Sequence, residues 1–437
     1  MNKVAFYTLG CKVNQYETEA MEELFEKEGY EIVDIDTYAD IYVINTCTVT
    51  NLSDRKSRQF IRRSKRINKE SIIAVVGCYS QVAPEEIVEI EGVDVIIGTT
   101  ERHRILELCE KAKENNEILN IVQDIKGMKN FEELNIDEVK SKTRAFVKIQ
   151  DGCNQFCSYC IIPYARGPIR SRSLKSIVKE CERLAGSGFK EVVLTGIHVA
   201  SYGKDLINDN ITLLDVIEEI NNVKGIDRIR LSSIEPTLID DEFMKRYAKL
   251  SKACAHFHLS LQSGSDTVLK KMNRKYTTNQ YRETVSIIRK YLPDAGITTD
   301  IIVGFPGETD ENFNETLDFV KDIGFSRIHV FKYSPRKGTP ASKYKNQVDG
   351  NVKHKRSERL INLSEEEMAK FHSKFIGETM EILFEKKMKN HEEYMEGYTN
   401  NYIRVAAKTN SDIGGQILPV KILARKKEYL IGKIEDF

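Results

Sequence analysis

The chain has 437 residues, 41% hydrophobic and 30% charged, the composition of a folded protein rather than a disordered one, at a length that calls for two or three domains. Lys plus Arg and Asp plus Glu are both 66, so any nucleic-acid footprint has to be local, and nine cysteines, an odd number, argue against a complete disulfide framework. No apolar run approaches the roughly 18 to 20 residues of a membrane helix, and the N-terminus enters a strand-like run at Val4 without a signal-peptide pattern. A cytosolic location with no membrane contact is expected, where thiols stay reduced.

Residues 1–125 alternate β-rich runs at 4–9, 31–35, 41–46, 72–77 and 93–98 with helical stretches such as 18–28. This alternation predicts an α/β fold beginning with a doubly wound parallel sheet, whose ligands bind at the carboxyl ends of strands. Residues 126–143 are polar and weakly patterned, as a linker would be. A second series occupies 144–376, with runs at 145–150, 191–196, 228–233, 256–261, 296–304 and 325–333, the first five each followed by a helical stretch. Six units predict a partial (β/α)6 barrel, followed by a charged helical stretch at 351–375. From 377 to 437 the pattern is strands alone, at 378–385, 393–398, 402–407, 415–423 and 429–434. A small all-β barrel of the kind that often binds oligonucleotides fits this spacing.

The strongest local signal is Cys153-Asn154-Gln155-Phe156-Cys157-Ser158-Tyr159-Cys160, three cysteines just after the first strand of the second series. Three thiolates on one loop hold three irons of a 4Fe-4S cluster and leave the fourth open. A structural zinc site takes four protein ligands, and no fourth cysteine or histidine lies near this loop. Cysteines used as small apolar residues rarely fall so close together. A second set is dispersed: Cys11, Cys47 and Cys78 each end a predicted strand of the first sheet. Parallel pairing would bring all three thiols to one sheet edge and form a second three-cysteine cluster. Cys109, Cys181 and Cys254 read as core residues.

With Tyr159 before its last cysteine, the 153–160 loop resembles the signature of radical S-adenosylmethionine (SAM) enzymes. The strand-end cysteines, with Thr8-Leu9-Gly10-Cys11-Lys12-Val13-Asn14-Gln15-Tyr16-Glu17-Thr18, resemble the methylthiotransferase subgroup. Ile161-Ile162-Pro163-Tyr164-Ala165-Arg166-Gly167, Leu261-Gln262-Ser263-Gly264-Ser265 and Gly304-Phe305-Pro306-Gly307-Glu308-Thr309 match as well, so the resemblance spans essentially the whole chain. It implies two 4Fe-4S clusters and SAM as cofactors, and an electron donor protein as partner. SAM would chelate the open iron at Cys153, Cys157 and Cys160 and be cleaved by one electron to methionine and a 5′-deoxyadenosyl radical. The Cys11, Cys47 and Cys78 cluster would hold the sulfur to be inserted, methylated by a second SAM. SAM is expected across the barrel strand ends, at Tyr159, Thr195, Gly196, Glu235, Gln262, Ser263 and Gly304. The 304–309 segment also reads as a Gly-Pro turn feeding a helix capped by Thr309, and His198 is given no catalytic role.

The resemblance makes 377–437 a TRAM-like RNA-binding barrel, although residues 378–437 carry ten Lys or Arg against ten Asp or Glu. A denser footprint is the predicted helix after Cys47, where Arg55, Lys56, Arg58, Arg62, Arg63, Lys65, Arg66 and Lys69 are opposed only by Asp54 and Glu70. Arg58, Arg62 and Arg66 on that helix, and Arg166, Arg170 and Arg172 after the cluster loop, are the expected phosphate contacts. The 9–15 and 195–198 segments most resemble bacterial enzymes acting on N6-threonylcarbamoyladenosine beside the tRNA anticodon. Enzymes modifying isopentenyladenosine in tRNA or an aspartate of a ribosomal protein are the alternatives with the same chemistry. A non-catalytic iron-sulfur RNA-binding sensor is the alternative of another class.

Overall fold

The computed structural model describes residues 2–114, 117–134, 143–207, 209–389 and 391–435. Its first sheet is all parallel: β1 (Lys3–Thr8), β2 (Glu31–Val33), β3 (Ile41–Thr46), β4 (Ile72–Gly77), β5 (Val95–Ile96) and β6 (Leu119–Asn120), in the order β2-β1-β3-β4-β5-β6. The predicted doubly wound sheet is present, with β6 as an additional short edge strand. Every residue of β3 and β4 is buried, which is why they read as continuous apolar runs and not as alternating ones. Helix α1 (Lys12–Lys27) buries Met21 and Phe25 on one face of the sheet, and α2 (Asn51–Ile67) buries Ile61 on the other. Strand order reverses between β1 and β3, so the crevice of the sheet opens where Cys11 and Cys47 emerge.

The second series contains β7 (Arg144–Asp151), β8 (Arg170–Ser171), β9 (Glu191–Gly196), β10 (Arg228–Leu231), β11 (Ser233–Ile234), β12 (His256–Leu259), β13 (Gly296–Val303) and β14 (Arg327–Lys332). β11 continues β10 past Ser232, so β7, β9, β10/β11, β12, β13 and β14 form the predicted six-unit parallel succession. The largest apolar core fills it, with Val147, Leu194, Phe257 and Ile301 among its fully buried members. The two-residue β8, antiparallel to β7, was too short to leave a periodic signal. The expected charged helix is Gly350–Ser373.

β15 (Thr379–Met388), β16 (His391–Thr399), β17 (Arg404–Lys408), β18 (Ile417–Arg425) and β19 (Leu430–Ile434) close into the expected barrel, in the order β15-β16-β17-β19-β18. Its turn between β16 and β17 docks on the N-terminal ends of the partial-barrel strands. There Arg228 Nη1 donates to the Tyr398 carbonyl and Arg230 Nη1 to the Asn400 carbonyl, each at 2.9 Å. Tyr402, expected to start a strand, instead takes φ +71 in that turn and stacks on His256 at 4.5 Å.

The expected linker, 126–143, falls partly outside the described residues, but its described part is not a loose tether. Glu132 pairs with Arg102 at 2.6 Å, Glu133 with Arg172 at 2.8 Å, and the Leu134 carbonyl accepts from Tyr16 Oη at 2.6 Å. Its acids were legible as polar, but their buried basic partners lie far away in sequence.

Candidate iron-sulfur and SAM site

Cys11 and Cys78 each follow a glycine with positive φ, Gly10 at +115 and Gly77 at +100. A Cβ on Gly10 would stand 2.8 Å from Cys47 Cβ, and one on Gly77 would stand 2.7 Å from the Thr46 carbonyl oxygen. The glycines thus let three strand ends crowd together at the sheet edge. Asn14 Nδ2 ties two of them, donating to the Leu9 carbonyl at 2.8 Å and the Thr46 carbonyl at 2.9 Å. Thr46 Oγ1 ties the third, donating to the Val76 carbonyl at 2.6 Å. Cys11 is exposed, whereas Cys47 and Cys78 are buried.

The 153–160 loop is pinned from several sides of the barrel. The Ser158 N–H donates to the Met272 carbonyl at 2.9 Å, the Ala341 N–H to the Ser158 carbonyl at 2.8 Å, and Asn273 Nδ2 to the Phe156 carbonyl at 3.0 Å. Phe156 sits at φ +48, a left-handed conformation unusual for an aromatic residue, with half its surface exposed. The Arg274 side chain, largely covered, donates from Nη1 to Cys157 Sγ at 3.3 Å and lies 2.8 Å from Glu235.

Burial pushes Cys78 up to about 12, with Arg166 pulling against it, and pushes Cys160 up to about 12, with Cys157 adding to the rise. A bound cation is what turns such thiols into thiolates at neutral pH. Among the described residues neither cysteine set closes to the 4.8 Å at which three ligand atoms share one ion; the set that does is His258, Asp300 and His329. The cysteines are thus not drawn together around one ion as they stand. The donor chemistry, three cysteines and no fourth protein ligand in each set, suits a 4Fe-4S cluster with one open iron.

The two sets are joined by the short helix Ile162–Arg166, which follows Cys160 and rests on the helix α3 (Cys78–Val82). Thr99 Oγ1 donates to the Ala165 carbonyl at 2.7 Å across this seam. Beside the seam lies a cavity of about 220 Å³ walled by Tyr159, Cys160, Gln262 and Asp300 from the barrel and by Val49 and Thr50 from the loop after Cys47. A larger cavity of about 590 Å³ adjoins it at Ile161, between α2 and the loop at Arg336, and no cysteine of either set lines it.

Of the expected SAM contacts, Tyr159 and Gln262 wall the smaller cavity, Gln262 at φ +69. Thr195 and Gly196 end β9 as expected. Glu235 is already engaged, accepting from Gln155 Nε2 at 3.0 Å and standing 3.1 Å from His198 Nε2 as well as beside Arg274. His198 is thus a partnered structural residue. The Ser263 hydroxyl accepts from the Ser265 N–H at 3.3 Å, and the Gly304 N–H is donated to Glu308, so both are spent on local structure. Thr309 caps the helix Asp310–Ile323 through a capping box with Asn312, as anticipated. Cys109, Cys181 and Cys254 are fully buried, as core residues are.

The expected phosphate contacts divide. Arg62 and Arg66 on α2 are exposed, and Arg58 is half-buried with Nη1 donating to Tyr79 Oη at 2.7 Å. Arg166, Arg170 and Arg172 are at most 2% exposed and cannot meet a phosphate backbone. Arg166 binds Glu17 at 2.5 Å, Arg170 donates to the Arg166 carbonyl at 2.9 Å, and Arg172 binds Glu133 at 2.8 Å as well as Glu180. Their charge was visible in the sequence; the carboxylates that bury it come from other elements. Sequence reading missed Asn14, Glu17, Lys148, Asp151 and Arg274. The available signal was Lys148, a charge in the middle of the apolar run Phe146-Val147-Lys148-Ile149, where only a buried partner is tolerable.

The "Radical SAM superfamily" profile matches residues 147–320 and "Uncharacterized protein family UPF0004" matches 3–98. The chain is 46% identical, over 99% of its length and 96% of the relative's, to the threonylcarbamoyladenosine tRNA methylthiotransferase MtaB of Bacillus subtilis (strain 168). It belongs to the radical SAM methylthiotransferase family. Identity is 40% to the MtaB of Aquifex aeolicus (strain VF5), over 94% of this chain and 98% of that one. It is 39% to the tRNA-2-methylthio-N(6)-dimethylallyladenosine synthase of Clostridium novyi (strain NT), over 98% and 95%. Among solved structures, the radical SAM methyltransferase TsrM from Kitasatospora setae superposes with a TM-score of 0.59 at 16% identity over 78% of this chain and 77% of that one, a likeness of fold. Methylthiotransferases of this family work with SAM and two 4Fe-4S clusters. No helix among the described residues is long and apolar enough to cross a membrane.

Proposed function

We propose that this methylthiotransferase converts N6-threonylcarbamoyladenosine beside the tRNA anticodon to its 2-methylthio derivative. The observation that carries this is the full-length 46% identity to a threonylcarbamoyladenosine tRNA methylthiotransferase, above the 39% to a dimethylallyladenosine synthase. Cys153, Cys157 and Cys160 hold the SAM-binding cluster, and Cys11, Cys47 and Cys78 hold the auxiliary one. When bound, these groups supply one-electron SAM cleavage and the sulfur to be inserted.

The chain's own contribution is position and exclusion of water. The pinned 153–160 loop would hold the cluster beside Tyr159 and Gln262, with Thr195 and Gly196 at the end of β9 nearby on the SAM side. The cavity of about 220 Å³ draws walls from both domains, so a target base placed there lies between the two cysteine sets. Glu235 and Arg274 act through the loop, holding Gln155 and Cys157. Arg58, Arg62 and Arg66 bind RNA phosphates, and a separate protein donates the electron.

Mass spectrometry of tRNA nucleosides from cells with and without the gene tests the reading. The expected result is loss of the 2-methylthio derivative and accumulation of N6-threonylcarbamoyladenosine. Loss of methylthiolated isopentenyladenosine instead would establish the dimethylallyladenosine activity of the 39% relative. An unchanged nucleoside profile would refute both.

A further inference from the structure

We propose that Arg166 is a positioning residue that sets the reduction potential of the auxiliary cluster, through one N–H bond to Cys78 and one excess buried positive charge. Arg166 is fully buried, and its Nε donates to Cys78 Sγ at 3.2 Å. The same guanidinium grips Glu17 of α1 with both Nη atoms, at 2.5 and 2.9 Å, and gives 2.8 Å to Asn14 Oδ1. Asn14 Oδ1 is in turn 3.6 Å from Cys11 Sγ, and Asn14 Nδ2 holds the Thr46 carbonyl beside Cys47. One side chain from the barrel therefore touches, directly or through Asn14, the seat of every cysteine in a set carried by the other sheet.

The charge around it does not cancel. Glu17 faces Arg102 at 2.6 Å, Lys148 at 2.8 Å and Arg166; Asp151 faces Lys148 at 2.6 Å, Arg166 at 3.4 Å and Arg170 at 3.6 Å; Glu132 closes the chain on Arg102. Arg102, Lys148, Arg166 and Arg170 against Glu17, Asp151 and Glu132 leave one positive charge over, and Arg166 aims it at a sulfur. Exposed His103, 3.6 Å from Glu132 at the rim, adds to the positive side when protonated. The Cys153 set differs: among the described residues its guanidinium, Arg274, pairs with one carboxylate, Glu235, which also stands 3.1 Å from His198. Hydrogen bonds to cluster sulfurs and net charge nearby are established levers on cluster potential, and a low dielectric magnifies both. An excess positive charge favours the reduced, more negative cluster.

The inference rests on Cys11, Cys47 and Cys78 being cluster ligands, and its test separates the two. Reconstituted full-length holoenzyme is titrated by EPR-monitored reductive potentiometry, with Cys157→Ala protein used to assign the auxiliary signal. Arg166→Gln removes the bond and the excess charge and is expected to make the auxiliary cluster at least tenfold harder to reduce, a fall of about 59 mV for one electron. Glu17→Gln removes a carboxylate that offsets Arg166 and is expected to shift the same cluster tenfold the other way. Arg274→Gln should leave the auxiliary potential in place. A purely structural role would not give opposite signs; shifts of one sign, or none, in protein retaining its full iron content overturn the proposal. Should Arg166→Gln lose the auxiliary irons, the sign of the Glu17→Gln shift decides alone. Wild-type protein whose iron content does not respond to replacing Cys11, Cys47 and Cys78 would instead fail the ligand assignment itself.

Discussion

Replacing Arg62 and Arg66 together by glutamine isolates the electrostatic part of RNA binding. Both are exposed on α2, and among the described residues neither pairs with a carboxylate, whereas neighbouring Arg63 is held by Asp36 at 2.5 Å and Arg58 by Tyr79. Each phosphate they neutralise releases a counterion, worth ~0.7 in the slope of log K against log salt for single strands and ~0.9 for duplex, so the double variant should flatten that slope by roughly 1.4 to 1.8. Between 50 and 200 mM salt, a fourfold change, this corresponds to about a tenfold smaller loss of affinity than wild type suffers. Fluorescence anisotropy with tRNA at several salt concentrations reads it directly, and SAM cleavage without tRNA should not change. A slope within about half a unit of wild type would return α2 to an ordinary solvated face.

Anaerobic reconstitution should give about eight irons per chain, falling to about four when Cys11, Cys47 and Cys78 are replaced together; saturation near four in wild type would remove the second cluster. In dithionite-driven turnover, Cys157→Ala should abolish both 5′-deoxyadenosine and methylthiolated RNA, whereas Cys47→Ala should keep the first and lose the second, and methylthiolated RNA from Cys47→Ala would refute this division. Burial pushes the Glu132 carboxyl up, but Arg102, with His103 and Lys148, overrides it and holds it at about 2 against an ordinary 4.5. A depressed carboxyl stabilises the fold above 4.5 and loses that contribution as pH falls towards 2, so amide protection factors (exchange relative to the intrinsic rate) in the 131–134 strap should fall over that window, and Glu132→Gln should remove that part of the pH response. Truncating Arg336, which binds buried Asp54 at 2.5 Å, should free the α2 N-terminus at a cost of about 3 to 5 kcal/mol, measured as lost amide protection of α2.

The fold was legible because its strands announce themselves by apolar continuity, and the cysteine sets because three thiols in eight positions, or three strand ends in one sheet, have few other uses. Charge was legible only as composition. Arg62 and Arg166 look alike in the sequence, each in a basic neighbourhood, yet one is exposed and the other fully buried. The difference lies in Glu17 and Asp151, acids from α1 and β7 whose approach to Arg166 depends on how the sheet seats on the barrel. Glu235 directly follows β11 and Ser263 lies in the loop past β12, but position along the chain does not say whether a side chain has already found a partner. Tyr402 was lost for a related reason: an aromatic residue beside Ile403 and Val405 reads as strand, and its left-handed turn is imposed by docking on His256.

That docking covers the partial barrel where its strands begin. Tyr402, flanked by Arg230 at 4.7 Å and Arg144 at 5.5 Å from its ring, stoppers the end where the strands begin, while both cysteine sets stand towards the end where they finish. On the proposed function, a base reaches the cavity of about 220 Å³ beside the loop after Cys47, which supplies Val49 and Thr50 to its wall. If α2 holds the RNA as proposed, departure of the finished nucleoside is coupled to loosening of the RNA from that helix, and turnover is expected to respond to arginines remote from the chemistry.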